Sequence, residues 1–251
     1  MKVASNLMRD IPTLRYDDYV TKARSVLRED IFRELYVVDE RDRLMGYLDI
    51  SDVLLVMDTK SNITVKGFIK EAAQVAPDTP LAEVAFAIMT AHTNSAAIVD
   101  ESDALQGGVL FSELFPVLIS RNEPRGRVED VMSRQPVTCS PEDPIHRIYN
   151  LIVTSGFIAF PVVQKNEVIG IISRRDLLRA GNVRTSVKNQ ADTTVDRVMT
   201  TPVITVAPDD PVATASRLMV DHDISILPVI DERKRLAGVI DRHDVLTCLP
   251  R

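Results

Sequence analysis

The chain repeats itself, and that constrains its fold more than any other feature. Residues 131–144 read VMSRQPVTCSPEDP and residues 198–211 read VMTTPVITVAPDDP. Met132 thus falls on Met199, Thr138 on Thr205, Pro141 on Pro208 and Pro144 on Pro211, each pair 67 positions apart. Farther on, FPVVQKNEVIGIISRRDLL (160–178) lies beside LPVIDERKRLAGVIDRHDVL (227–246), with Pro161 on Pro228, Gly170 on Gly238 and Asp176 on Asp244. One extra residue in the later copy falls in the charged turn Asp231–Arg235, where a hairpin loop absorbs an insertion. The N-terminal half holds two weaker copies: LYVVDERDRLMGYLDISDVL (35–54), then VAPDTPLAEVAFAIM (75–89) followed by AAIVDESDALQGGVLFSELF (96–115). The chain therefore divides into 1–60, 61–122, 123–189 and 190–251, the second copy being the most degenerate. The polar stretch RNEPRGR (121–127) is the expected boundary between halves.

Each copy predicts the order β-α-β-β-α. A short extended segment (Pro136–Cys139, Val203–Ala207) precedes Thr79-Pro80, Asp143-Pro144 or Asp210-Pro211, where a short polar side chain is expected to cap a helix and proline to start it. Apolar residues then recur at helical spacing: Leu81, Val84, Ala85 and Ile88; Ile145, Ile148, Tyr149 and Ile152; Val212, Ala215 and Met219; and in the first copy Tyr16, Val20, Ala23 and Leu27. A buried-type strand, a charged turn and a strand carrying Gly-apolar-apolar follow, and a second helix is expected to begin at Asp52, Glu113, Asp176 or Asp244. One such unit has too small a sheet to cover both its faces, so the copies are expected to pair.

Composition removes several classes. No run approaches the ~20 apolar residues of a membrane span, and Arg9, Asp10, Pro12 and Arg15 interrupt any signal-peptide core. Two cysteines, Cys139 and Cys248, make no disulfide framework and no CxxC pair, which points to a reducing cytoplasmic setting without structural zinc. The net charge of −6 disfavours a general nucleic-acid binder, although a local Arg cluster could still hold a small anion.

The apolar-Pro-Val strand and the Gly-apolar-apolar-[Ser/Asp]-x-x-Asp motif, repeated in register, resemble CBS domains (cystathionine β-synthase domains), here as four repeats over residues 1–250. The resemblance implies an α/β (α+β) fold of β-α-β-β-α repeats paired into two pseudo-two-fold Bateman modules that could form a disc. It further implies a non-catalytic regulatory protein with clefts for AMP, ADP, ATP or S-adenosylmethionine, no required cofactor and no metal, and an expected homodimer acting on an unidentified partner protein.

The third repeat has the fullest motif, Gly170-Ile171-Ile172-Ser173-Arg174-Arg175-Asp176. Gly170 would admit close backbone approach. Asp176, an acceptor-only carboxylate, suits a ribose diol. Ser173 stands near helix amides that favour phosphate, and Arg174 adds a guanidinium. In the family pattern, Thr138 and the apolar Val137, Ile158 and Pro161 match positions that hold adenine. The alternative is that Asp176 is only a helix cap and Ser173 a turn residue. The fourth repeat offers Thr205, Pro228, Asp241 and Asp244, and the first Asp49 and Asp52. Asp241 and Asp49 replace the family's Ser/Thr, and a carboxylate there repels phosphate. Those clefts are either empty or hold a less anionic adenosine compound. Glu113 marks the second repeat as structural, and Gly107 and Gly108 compete for its anchor position.

His222, Asp223, Asp241, His243 and Asp244 contain ligand-type residues but no metal-motif spacing. His92, His146, Cys139 and Cys248 stand alone. Arg174, Arg175, Arg179, Arg184, Lys188 and Arg197 could meet a phosphate or RNA backbone, or form a solvated face. A structural adaptor with empty clefts and a nucleic-acid-binding CBS protein remain the alternatives to an adenosine sensor.

Overall fold

The computed structural model describes residues 2–29, 32–56, 61–180 and 193–250. The chain divides into two compact units, residues 1–118 and 119–251, each containing two repeats. The division falls at Leu118–Ile119, just ahead of the RNEPRGR stretch.

In the first unit, β1 (Thr13–Arg15) leads to α1 (Val20–Glu29), β2 (Glu34–Val38), β3 (Leu44–Asp49) and α2 (Ile50–Leu55). The second repeat follows with β4 (Gln74–Val75), α3 (Leu81–Ala91), β5 (Ser95–Val99), β6 (Leu105–Leu110) and α4 (Phe111–Arg121). Each repeat has a three-stranded sheet, β1-β2-β3 or β4-β5-β6, with the first pair parallel and the hairpin antiparallel. In the second unit, α5 (Val128–Val131), β7 (Ser133–Arg134), α6 (Ile145–Ser155), β8 (Ala159–Gln164), β9 (Glu167–Ser173) and α7 (Arg174–Arg179) form the third repeat. The fourth contributes α8 (Val212–Asp221), β10 (Ile226–Ile230), β11 (Leu236–Asp241) and α9 (Arg242–Thr247). There the expected first strands shrink to single parallel bridges, Cys139 to Val162 and Val206 to Val229.

The helix faces read at helical spacing are the buried ones. Val20, Ala23 and Leu27, Leu81, Val84 and Ile88, Ile145, Ile148 and Ile152, and Val212, Ala215 and Met219 all lie at 4% exposure or less. Tyr16 is the exception, because it sits in the turn before α1. The second helices start earlier than expected. Their first residues are Ile50, Phe111, Arg174 and Arg242, and the acids Asp52, Glu113, Asp176 and Asp244 occupy the third helical position.

The repeats are joined by exchange. The short segment ahead of each repeat's first strand, its arm, leaves its own sheet and pairs with the sheet of the other repeat in the unit. Arg9 bridges to Gly108 and Lys70 to Tyr47; Thr200 bridges to Ile171, and Ser133 and Arg134 pair with Val239 and Gly238. The same arms cap the partner's first helix. Val20 N donates to Ile63 O, Leu81 N to Lys2 O, Ile145 N to Thr193 O and Val212 N to Gly126 O, at 2.9–3.3 Å. This corrects the expected capping. Pro80, Pro144 and Pro211 are N-cap residues, one place ahead of the helix. Thr79, Asp143 and Asp210 turn back to accept from the amides of Ala76, Ser140 and Ala207. The orphan amides of a helix start need acceptors, and here a carbonyl of the other repeat supplies one, so neither repeat completes its helices alone.

Candidate functional site

The repeated glycine is where each arm crosses. A Cβ on Gly170 would stand 2.8 Å from Met199 Sδ and 3.0 Å from Thr200 O; on Gly238 it would stand 2.7 Å from Ser133 O and 2.9 Å from Met132 Sδ. The missing side chain therefore makes room for the arm, and the recurrent Met132 and Met199 are the knobs that fill it. The structure also decides between the two adjacent glycines of the second repeat. Gly107 (φ +157°) lies opposite Ile98 just as Gly46 (φ +144°) lies opposite Val37, so Gly107 is the anchor.

Downstream of the glycine, each strand runs into its helix through a shared device. Ser173 is the N-cap of α7, and Asp176 Oδ2 accepts from Ser173 N at 2.8 Å and from Ser173 Oγ at 2.6 Å. Asp49 and Asp241 take the cap position in the first and fourth repeats. Asp49 N donates to Asp52 Oδ2 at 2.7 Å and Asp241 N to Asp244 Oδ2 at 3.0 Å. In return Asp49 Oδ1 accepts from the amides of Ser51 and Asp52, and Asp241 Oδ1 from those of His243 and Asp244. These are reciprocal capping boxes with a carboxylate in place of the usual hydroxyl. A like charge this close raises the proton affinity of the third-position acid. Burial, then Asp241, pushes the Asp244 carboxyl up to about 6. Burial and Asp49 likewise raise Asp52, against the pull of Lys70.

The other candidate residues of the third repeat gather around this turn. Ile158 O accepts from Arg174 N at 3.0 Å, and Ala159 lies opposite Ser173. Pro161 is buried in β8 opposite Ile171, and its carbonyl accepts from Cys139 N, next to Thr138. Thr138 and Ile158 are half-buried, and Val137 is 37% exposed. In the fourth repeat Thr205 precedes the Val206 bridge, Pro228 is buried opposite Val239, and Ser225 occupies the place of Ile158, its carbonyl accepting from Arg242 N. Register puts Thr13 in the place of Thr138 in the first repeat, a match that weak local similarity hides from sequence.

Arg174 is the first residue of α7. Its side chain is buried at 7% exposure, so it is not on a solvated basic face. The equivalent Arg242, at 4%, sends Nη2 to Met219 O at 3.1 Å and to Asp223 Oδ1 at 3.2 Å, closing the end of α8. Asp223 of the His222–Asp244 cluster is thereby engaged, and among the described residues no group of three metal-type side chains converges. Burial pushes the Cys139 thiol up to about 12, which removes thiolate chemistry at neutral pH. Arg184 and Lys188 lie outside the described residues. Among the described residues no helix is long and apolar enough to cross a membrane.

Sequence reading missed the arm residues that face the acids. Lys70 Nζ lies 2.7 Å from Asp52 Oδ2, 3.3 Å from Asp49 Oδ2 and 4.9 Å from the centre of the Tyr47 ring. Arg9 grips both oxygens of Glu113 at 2.8–2.9 Å. A signal existed: each follows its arm's apolar knob (Met8-Arg9, Ile69-Lys70, Met132-Ser133, Met199-Thr200).

Across 98% of its length the chain is 24% identical to the uncharacterised protein MJ1225 of Methanocaldococcus jannaschii, covering 97% of that protein. It is 25% identical to MJ1404 of the same organism, spanning 60% of that longer chain. The crystal structure of MJ1225, described as a candidate archaeal homologue of g-AMPK, superposes with a TM-score of 0.85 over 98% of this chain and 99% of that one, at 21% identity. An uncharacterised conserved protein of Pyrococcus horikoshii superposes with a TM-score of 0.67 at 20% identity and the same coverage. The CBS domain profile matches residues 4–59, 128–182 and 195–251. With the exchanged arms and the repeated cap-glycine motif, that match establishes that the chain belongs to the CBS domain family.

Proposed function

We propose that this chain is a non-catalytic regulatory sensor of adenosine-containing compounds: AMP, ADP, ATP or S-adenosylmethionine. Its principal site is in the third repeat. Asp176 accepts the ribose diol, Ser173 and the first amides of α7 meet the adjoining phosphate or polar group, and Val137, Thr138, Ile158 and Pro161 hold the base. A related site in the fourth repeat uses Thr205, Pro228, Asp241 and Asp244, and its carboxylate cap favours a less anionic ligand. As a cytoplasmic homodimer, the protein passes the change to a partner by binding ligand more tightly in one shape than in another.

The observation that carries this reading is the state of Asp176. Among the described residues only Oδ2 is engaged, by Ser173, and no basic side chain pairs with the carboxylate. An acid held in place with no counter-ion among the described residues is prepared for donors from outside. Isothermal titration of the full chain with AMP, ATP and S-adenosylmethionine tests it. At least one should bind below about millimolar, ~4 kcal/mol, and Asp176→Ala should weaken it at least tenfold while the circular dichroism spectrum is kept. Binding by none of the three, or unchanged affinity in the variant, refutes the assignment.

A second reading, a structural adaptor with empty clefts, draws on the fact that Asp52, Asp176 and Asp244 all serve capping boxes. A thermal-melt screen separates the two, because a ligand at 100 times its Kd adds about 2.7 kcal/mol of stability.

A further inference from the structure

We propose that the first unit carries built-in counter-ions, Lys70 and Arg9, and that these close the first and second repeats to ligand, confining adenosine binding to the third and fourth. The inference rests on the sensor reading above and adds where in the chain sensing occurs.

The argument starts from four equivalent positions. Tyr47, Gly108, Ile171 and Val239 each follow an anchor glycine, and each faces an arm residue: Lys70, Arg9, Thr200 and Ser133. Each arm thus pairs two residues ahead of the end of the strand that leads into the second helix, whose third position holds the acid. In the first unit both arm residues are cations and both reach it. Asp52 Oδ2 receives Asp49 N at 2.7 Å and Lys70 Nζ at 2.7 Å, so this carboxylate, unlike that of Asp176, already holds a charge-assisted bond to a cation that stands against it. Lys70 also neutralises Asp49 and rests on Tyr47. Glu113 has both oxygens taken by Arg9.

In the second unit the same positions hold Thr200 and Ser133, which carry no charge, and neither Asp176 nor Asp244 forms an ion pair among the described residues. A cation tethered on the chain competes at high effective concentration against any free donor. An isolated exposed ion pair is weak, and Arg9 is exposed enough to be the weaker closure. Lys70 is the stronger, because its carboxylate partners are mostly buried, with side-chain exposures of 12% and 13%.

The test is titration of the full chain with AMP, with ATP and with S-adenosylmethionine. The wild type should saturate at no more than two equivalents per chain. Lys70→Thr, which copies Thr200, should take up one more, and adding Asp52→Ala to that variant should remove it again. Lys70→Met, which keeps the stem on Tyr47 and deletes only the charge, serves if the threonine variant does not fold, and should gain the same equivalent. If Asp176-dependent binding persists while both Lys70 variants keep the wild-type stoichiometry, the closure is wrong and the sensor reading stands. Loss of an equivalent in either Lys70 variant overturns the closure by making the lysine a ligand contact. Binding of none of the three probes to any of these proteins overturns both readings.

Discussion

The two units share one backbone plan and fill its centre differently. In the first unit Glu34 and Ser95, the opening residues of β2 and β5, are buried together. Ser95 Oγ donates to Glu34 Oε1 at 2.5 Å, which leaves the Tyr36 hydroxyl, 2.6 Å away, to donate to Ser95. Asn94 N donates to the other Glu34 oxygen at 2.9 Å. Burial, reinforced by Glu34, holds the Tyr36 phenol well above its ordinary range. By register the second unit has Ala159 and Ile226 at those positions. The first unit thus answers its polar groups from within, at its centre as at Asp52 and Glu113, whereas the second has alanine and isoleucine at the corresponding central positions and, among the described residues, no basic side chain on Asp176 or Asp244. A network satisfied internally favours one arrangement.

The sharpest way to break this comparison is at the arm crossings. A Cβ at Gly46 would come within 2.2 Å of Lys70 O, on backbone at φ +144° that L-residues rarely adopt. At Gly170 the nearest atom is the mobile end of Met199, at 2.8 Å. Gly46→Ala should therefore cost about 3 kcal/mol or more, combining overpacking with backbone strain. Gly170→Ala should cost about 1 kcal/mol, at the low end of overpacking. Urea denaturation of both variants measures the gap, and equal costs would mean that the arms dock alike.

Ser95→Ala probes the polar centre next. It removes the hydroxyl that Glu34 and Tyr36 share and should destabilise by about 1–3 kcal/mol. Ala159→Gly, which deletes only a methyl group at the corresponding place in the second unit, should cost less than Ser95→Ala by the same measurement.

The smallest effect concerns Asp244. A carboxyl that titrates near 3.9 in the unfolded chain and about 6 in the folded one binds its proton more tightly when folded. Its stabilising contribution is present below pH ~4 and is lost as pH rises through 6. Because the group is partly exposed, the loss is on the order of 1 kcal/mol or less. Asp244→Asn should accordingly gain stability relative to wild type at pH 7 and not at pH 4, measured as the difference in urea midpoint. Equal differences at both pH values would show that the Asp241–Asp244 repulsion is relieved in solution.

Local periodicity made the helix faces, the hairpins and the fourfold plan legible, because Leu81–Ile88 and Ile145–Ile152 bury the same stripe that their spacing marks. It also brought Ser173, Asp176, Asp241 and Asp244 into view, since a capping box is a pattern four residues long. Caps that come from another repeat left no such trace. Ile63 O and Gly126 O are backbone atoms, and any residue supplies a carbonyl.

By itself, then, the sequence determined the repeat, the element order and the acid at each second helix, because those depend on neighbours in the chain. Only the tertiary structure decided which acids are answered. Whether Asp52 meets Lys70, or Ile171 ahead of Asp176 meets Thr200, depends on an arm from the other repeat, and that encounter exists only after the exchange has closed.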